Sequence, residues 1–360
     1  MKLTAKGCRE RQRRLAVALQ QRQLDGAIIS RRSHVYYFTG FMHDRLHAAA
    51  AYLGSDGVAT LVAAGEPEAA AVDGTISYAA DYYATIHSRQ FEAVAEALAP
   101  VLPAGVRLGA DHGGGIACIA SLAATVDITR EIYHLRKCKL PDEVEAIRDC
   151  IRVVHAMYAA TVENLRPGID EVEMLAQLRG AATLAADVDL ETMGNDFRAN
   201  DLGGSARRRP MQAGELYILD AGTVVDGYFS DSCRTFAVDG SPTDAQMRAW
   251  EHLDRLFPIL EAAAVPGVRG NDLFEIANAH LSEQDYGGLI HHLGHGFGLE
   301  PHETPQLNPE YDAVLEVGDV ITMEPGLYGE ELRAGIRLEE DYYLSEEGLV
   351  KLTNFPRPLA

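Results

Sequence analysis

The stretch HHLGHGFGLEPH places His291, His295 and His302 at H-x3-H-x6-H spacing among glycines. Imidazole binds metal or moves protons near neutral pH, so this spacing invites both readings. His291 and His295, four apart, would share one face of a helix, as in the HExxH zinc motif. Gly294, Gly296 and Gly298 argue against that helix, since each costs about 1 kcal/mol relative to alanine. A glycine-spaced strand that approaches a pocket closely fits the composition better. His295 is then the candidate metal ligand, with His291 and His302 left for substrate, and His292 reads as a packing or surface histidine.

Acids supply the rest of the chemistry. Asp220 and Asp231 form a D-x10-D pattern around a turn at Val225-Asp226-Gly227, which places them roughly opposite one another across a hairpin. Asp220 follows the apolar run Leu216–Leu219, an expensive place for an unpaired charge. Asp226 is a plain turn residue. A second hairpin, VITMEPGLYGEELRAGIRLEEDYYL, carries Glu324 at the end of its first strand. In its second strand Ile336 and Leu338 share one face, while Arg337, Glu339 and Asp341 share the other, so Glu339 rather than Glu340 points inward. Four inward carboxylates cannot all stay ionised alone. Two divalent cations would cancel their charge, and four carboxylates plus one imidazole form an oxygen-rich set suited to Mn²⁺ or Co²⁺, with Fe²⁺ or Zn²⁺ as alternatives. Two such ions roughly 3.5–4 Å apart can acidify a shared water and polarise a carbonyl.

The elements that position these residues occur twice. RPGIDEVEMLAQL (166–178) is echoed by VPGVRGNDLFEIANAHL (265–281), and GELYILDAG (214–222) by GDVITMEPG (318–326). The offsets agree closely, 266 − 167 = 99 and 318 − 214 = 104, and Asp220 aligns with Glu324. A helix-rich piece followed by a hairpin is thus duplicated. Two halves packed about a pseudo-twofold axis would face acid toward acid. Before residue 136 the pattern differs: helix over 9–27, short strands at AIIS and HVYYF, a hairpin around Ser55-Asp56-Gly57, then helix-like FEAVAEALAPVL and strand-like VRLGAD. The expected fold class is α/β (α+β), with a small amino-terminal domain over 1–135 and a duplicated domain over 136–360. Pro141 near the first turn of a long helix, with Asp142, Glu143 and Glu145 beside its positive end, marks the start of the second domain.

Composition narrows the partners. The 360-residue chain has a formal charge of −21, which disfavours nucleic acid because phosphate binding needs a basic footprint. No apolar run reaches the roughly 18–20 residues of a membrane span, and the basic start MKLTAKGCRERQRRLAVALQ reads as an amphipathic helix rather than a signal peptide. Five scattered cysteines (Cys8, Cys118, Cys138, Cys150, Cys233) without a CxxC pair indicate reduced thiols and a cytoplasmic setting.

With D-x10-D, GHGFG, MEPG and GIRLEE in this order, the chain resembles the pita-bread metallopeptidases, specifically the Xaa-Pro aminopeptidase and prolidase branch. Residues 25–41 look like that branch's creatinase-like amino-terminal domain and 140–352 like its catalytic domain. The resemblance implies that Asp220, Asp231, His295, Glu324 and Glu339 hold two metals, with Asp231 and Glu339 bridging. It further implies that His291 and His302 bind substrate and the tetrahedral intermediate, that Glu324 doubles as proton shuttle, and that Arg337 orients Glu339. It also implies a homodimer and hydrolysis of peptides at an Xaa-Pro bond. One departure stands out: the family commonly has a histidine 17 positions before the first aspartate, and here that position is Gly203. Nearby Arg207, Arg208 and Arg209 suggest a remodelled substrate side, with Arg207 and Arg208 candidates for gripping an anionic group. The alternative is therefore a non-peptidase enzyme of the same fold, a creatinase-like hydrolase or lyase acting on a small molecule.

Overall fold

The computed structural model describes residues 3–67, 70–81, 83, 89–102, 105–111 and 124–359. The chain divides into two units, Lys2–Arg136 and Lys137–Ala360. In the first, α1 (Ala5–Gln21) begins at Thr4, whose hydroxyl accepts from the Gly7 N–H at 3.0 Å. Strands β1 (Gly26–Ile29), β2 (Ala50–Gly54), β3 (Ala59–Ala64), β4 (Gly74–Tyr78), β5 (Leu108–Ala110) and β6 (Thr125–Asp127) form a mixed sheet in the order β4-β3-β2-β1-β5-β6. Between β1 and β2 lies α2 (Arg32–Thr39), which corrects the strand expected at HVYYF. His34 to Phe38 are all buried, and a short continuous apolar run gives no periodicity to separate helix from strand. Gly40, left-handed at φ +71° with its N–H on the Tyr36 carbonyl at 2.8 Å, makes the turn expected at Thr39-Gly40 the stop of a helix rather than of a strand. The described elements continue with α3 (Gln90–Leu98) and α4 (Thr129–Lys137).

The second unit opens with α5 (Pro141–Asn164), which has Pro141 in its first turn, and the Glu143 carboxylate accepts from the Leu140 N–H at 2.9 Å. Next come α6 (Glu171–Ala186) and the strands β7 (Asp196–Ala199), β8 (Leu216–Ala221), β9 (Val224–Val225), β10 (Tyr228–Phe229) and β11 (Ser232–Ala237). Then α7 (Asp244–Ala263) and α8 (Gly270–Leu281) lead into β12 (Gly294–Gly296), β13 (Glu303–Leu307), β14 (Val320–Met323), β15 (Gly326–Gly329), β16 (Ala334–Arg337), β17 (Glu340–Ser345) and β18 (Gly348–Lys351). The two main sheets run β11-β8-β7 and β13-β12-β14-β17-β18.

The duplication extends to single hydrogen bonds. Gly168 (φ +89°) donates to Met211 O at 2.8 Å, and Gly267 (φ +91°) donates to Leu315 O at the same distance. Isolated bridges Asp170↔Pro210 and Arg269↔Val314 follow in equivalent places. The repeated Pro-Gly pairs exist because only glycine takes that backbone region without strain. Each half has its own core, one including Met157, Met174, Leu178 and Leu219, the other Leu256, Phe257, Leu273 and Ile321. At roughly 1.5–3 kcal/mol per buried large side chain, these cores can hold charged strand ends in place. Among the described residues no helix is long and apolar enough to cross a membrane.

Candidate metal centre

The acids sit where the two hairpins lose their ladders. On β8 Asp220 pairs in register with Cys233 of β11, so Asp231 lies just beyond the last pair, Ser232↔Ala221. Asp220 and Asp231 are therefore diagonal rather than directly opposite as the spacing suggested. Asp226 and Gly227 both take positive φ (+48° and +81°), a type I′-like connection that closes the small β9–β10 hairpin. In the second half Met323↔Glu340 is the final pair of β14 and β17, which leaves Glu324 and Glu339 at the mouth of that ladder.

Here the glycines around His295 become intelligible. A Cβ on Gly294 would lie 2.1 Å from the Thr322 carbonyl oxygen, and one on Gly296 would lie 2.4 Å from that of Thr304. Only bare backbone lets β12 come this close to its neighbours. His295 is held between them, with Nδ1–H donating to Gly296 O at 3.0 Å. That bond leaves the Nε2 lone pair facing Asp231 Oδ2 at 3.8 Å and Glu324 Oε1 at 3.7 Å.

Ligand atoms of Asp220, Asp231 and Glu339 lie within 4.8 Å of one another, as do those of His292, His295 and Glu324, and those of Asp231, His295 and His302. Burial pushes Asp220 up to about 6, with Arg337 pulling it down and Glu324 pushing it further up. Asp231 and Glu339 are driven well above the carboxylate range by burial and by the neighbouring acids. Burial lowers His295 to about 4, so its imidazole is a neutral ligand at physiological pH. Asp220 Oδ1 and Glu339 Oε2 are buried with no hydrogen-bond partner among the described residues. A divalent ion gives such orphaned oxygens a partner and removes the mutual repulsion, so the donor set fits a metal.

Several placements differ from expectation. His292 is not a surface or packing residue: its Nε2 lies 2.8 Å from Glu324 Oε1. This contact and the neighbouring histidines hold Glu324 below its usual range despite burial, and Glu324 in turn raises His292. Arg337 does not reach Glu339; its Nη2 donates to Asp220 Oδ2 at 2.8 Å and also to Asp196, and Nη1 donates to Tyr328 OH at 3.3 Å. The guanidinium that touches Glu339 is Arg234, whose Nη1 donates to the Glu339 backbone oxygen at 2.6 Å and whose Nη2 donates to Glu340 Oε2 at 3.0 Å. His291 donates Nδ1–H to His292 O at 2.7 Å, so in its neutral form Nε2 accepts from Tyr328 OH at 2.8 Å. His302 is exposed and stacks on His295 with ring centres 3.8 Å apart.

The arginine run is structural at its two ends. Arg207 spends its guanidinium on Glu171, Asp201 and the Ala199 carbonyl, with contacts of 2.7–3.0 Å. The expectation that it offers a free grip for an anion is thereby corrected, because Glu171 is fully buried and needs that cation. Arg209 pairs with Glu215, and Arg208 is 74% exposed, 3.9 Å from Asp170. Sequence reading missed Asp196, Arg234 and Tyr328; only Tyr328, four residues after Glu324 in a short strand, left a spacing that could have been noticed.

Comparison with known proteins agrees with this geometry. Residues 145–346 match metallopeptidase family M24, and residues 11–138 match the Creatinase/Prolidase N-terminal domain. The chain is 33% identical over 235 residues to the Xaa-Pro dipeptidase of Pyrococcus furiosus, covering 63% of this chain and 66% of that one. It is 30% identical over 238 residues to the Xaa-Pro dipeptidase of Lactobacillus delbrueckii subsp. lactis, covering 65% and 64%. The chain thus spans just under two thirds of the length of these curated relatives. In structure it resembles the prolidase from Pyrococcus horikoshii OT3 with a TM-score of 0.79 at 24% identity, covering 98% of this chain and 100% of that one. The match over more than half the chain coincides with the stretch that gathers the acids and histidines, and the protein belongs to metallopeptidase family M24.

Proposed function

We propose that the protein hydrolyses peptides at an Xaa-Pro bond, as an Xaa-Pro dipeptidase or aminopeptidase working with two divalent ions, Mn²⁺ or Co²⁺ first. The observation that carries this reading is the convergence of Asp220 and Asp231 from one half with His295, Glu324 and Glu339 from the other. Bound there, divalent ions would supply Lewis acidity and an acidified water. The chain's own residues supply the rest. Asp231, grouped with Asp220 and Glu339 on one side and with His295 on the other, would help hold both ions together with Glu339 beside it. Glu324, kept ionised by His292, accepts the proton of the attacking water and returns it to the leaving amine. His302, exposed beside His295, donates to the developing oxyanion. His291 joins it as a donor only once it holds a second proton, because Tyr328 occupies its Nε2.

The small-molecule alternative rested on Gly203 and on a free arginine run, and the ion pairs of Arg207 remove half of that support. We also propose a cytoplasmic homodimer: the five scattered cysteines lack a CxxC pair, Cys118 lies outside the described residues, and the family resemblance implies the dimer. Metal-free protein reconstituted with Mn²⁺ or Co²⁺ is expected to cleave members of an Xaa-Pro dipeptide and tripeptide panel. Two bound equivalents of metal with no turnover across that panel would reject the assignment.

A further inference from the structure

Strand β7 brings a further acid to the cluster. Asp196 is in register with Asp220 on β8, and Asp220 with Cys233 on β11, so the three form a row across one sheet face. Carboxylates directly opposite on neighbouring antiparallel strands, with Cβ atoms about 4.5–5.5 Å apart, repel one another. Arg337 relieves this by placing Nη2 between Oδ2 of Asp196 and Oδ2 of Asp220. The other Asp196 oxygen, Oδ1, accepts from the N–H of Gly204.

Gly203 is part of the same arrangement. Its φ is +149°, and a Cβ there would stand 2.5 Å from the Asp196 carboxylate. A side chain at 203 and Asp196 in this position exclude each other. The glycine where the family pattern has a histidine is therefore clearance for the aspartate, and not merely a deletion.

What the aspartate achieves follows from the shape of guanidinium. An arginine facing a single carboxylate tends to close on it with two parallel bonds, taking both oxygens. Asp196 draws Nη2 aside and Tyr328 engages Nη1, so Arg337 holds Asp220 through Oδ2 alone. Asp220 Oδ1 is left buried and without a partner among the described residues.

We propose that Asp196 is a positioning residue of the metal centre: acting through Arg337, it fixes Asp220 with Oδ1 free for an ion, and Gly203 provides the space it requires. This rests on Asp220 being a metal ligand, as read above. The substitution Asp196→Asn keeps the shape and removes the charge. Calorimetric titration of the metal-free protein with Mn²⁺ is expected to show one of two ions bound about 10–100-fold more weakly, the other unchanged. The visible spectrum of the Co²⁺-loaded variant is expected to change for that ion alone, and Asp196→Ala to give the larger loss. Wild-type and Asp196→Asn affinities within about threefold for both ions overturn the inference while leaving the metal assignment intact. Equal weakening of both ions together with a lower Tm of the metal-free variant also overturns it, since that is the mark of general damage. Wild-type protein that takes up no metal overturns the metal assignment and this inference with it.

Discussion

In the metal-free protein, Asp220→Asn is expected to increase stability at neutral pH. Burial and the neighbouring Glu324 outweigh Arg337 and lift the Asp220 carboxyl from 3.8 to about 6. At roughly 1.36 kcal/mol per pH unit, this corresponds to about 3 kcal/mol between the folded and unfolded states. The sign follows from proton counting. Below pH 3.8 both states hold the proton and Asp220 contributes nothing. Between 3.8 and about 6 the unfolded chain ionises first, so the folded state loses ground as pH rises. Above about 6 the whole penalty is present. Asparagine cannot ionise and escapes it. Denaturant unfolding of chelator-treated protein should therefore show Asp220→Asn matching wild type near pH 4 and exceeding it by about 3 kcal/mol at pH 7.5. Saturating Mn²⁺ should reverse the order, because the ligand binds only the folded wild-type site and stabilises it by mass action. A difference at pH 7.5 that persists unchanged to pH 4, or a less stable variant at pH 7.5 without metal, would refute the electrostatic account of the cluster.

Three further outcomes follow from individual contacts. His292→Ala removes the 2.8 Å partner that holds Glu324 below its usual range, so the Glu324 pKa should rise and the acidic limb of the kcat/KM–pH profile should move to higher pH. An unmoved limb would show that His292 does not tune Glu324. Arg234→Met removes a guanidinium that is 1% exposed and bonded to Glu339 and Glu340. Thermal unfolding should report a loss of about 3–5 kcal/mol, the usual cost of stranding a buried charge. Lys351 and Arg357, which also reach Glu340, should keep the loss from going further. Arg207→Ala should destabilise the fold by about 1–3 kcal/mol by taking the bonded cation from the buried Glu171 carboxylate, which keeps only the backbone N–H groups of residues 199 and 207 and Arg209 at 3.8 Å, with kcat/KM on any cleaved peptide within about threefold of wild type. A large change in KM with normal stability would instead return Arg207 to the substrate.

Which of these features the sequence exposed depends on the range over which each is encoded. The four acids were legible because each is encoded locally, at or beside the end of a strand; the single alternating strand expected through Glu339 is instead two, since β16 ends at Arg337 and β17 begins at Glu340, and Glu339 lies in the break between them. The duplication was legible because Pro-Gly turns need glycine wherever they recur, and Gly168 and Gly267 take nearly the same φ. Asp196 was not legible, because its partnership with Asp220 depends on strand register across the 16-residue connection 200–215 and on an arginine far along the chain. His292 was hidden by its neighbour: in a glycine-rich segment without periodicity, nothing in the order of residues says which of two adjacent histidines turns inward. Arg234 looked like an ordinary β-strand residue, and only its burial against Glu339 and Glu340 reveals its task.

The two halves share a plan but supply different chemistry. The orders β11-β8-β7 and β17-β14-β12 are equivalent, so β7 and β12 are the same strand in two copies. In one copy this strand brings His295, whose Nε2 lone pair faces the acids, and in the other it brings Asp196, whose carboxylate faces Arg337. A symmetric pair of histidines would have raised the ligand count without supplying anything to restrain Asp220. A symmetric pair of aspartates would have added negative charge to a cluster that already strains to ionise. The asymmetry settles both demands, because the strand in one copy supplies a neutral nitrogen and in the other holds in place the cation that keeps one oxygen of Asp220 occupied. On this reasoning, placing a carboxylate at 295 should cost metal affinity even though it adds a ligand oxygen. His295→Asp is expected to bind Mn²⁺ more weakly than wild type at pH 7 and to recover part of the loss at higher pH, where the added carboxyl ionises. Tighter binding at pH 7 would show that ligand count, and not charge balance, governs this centre.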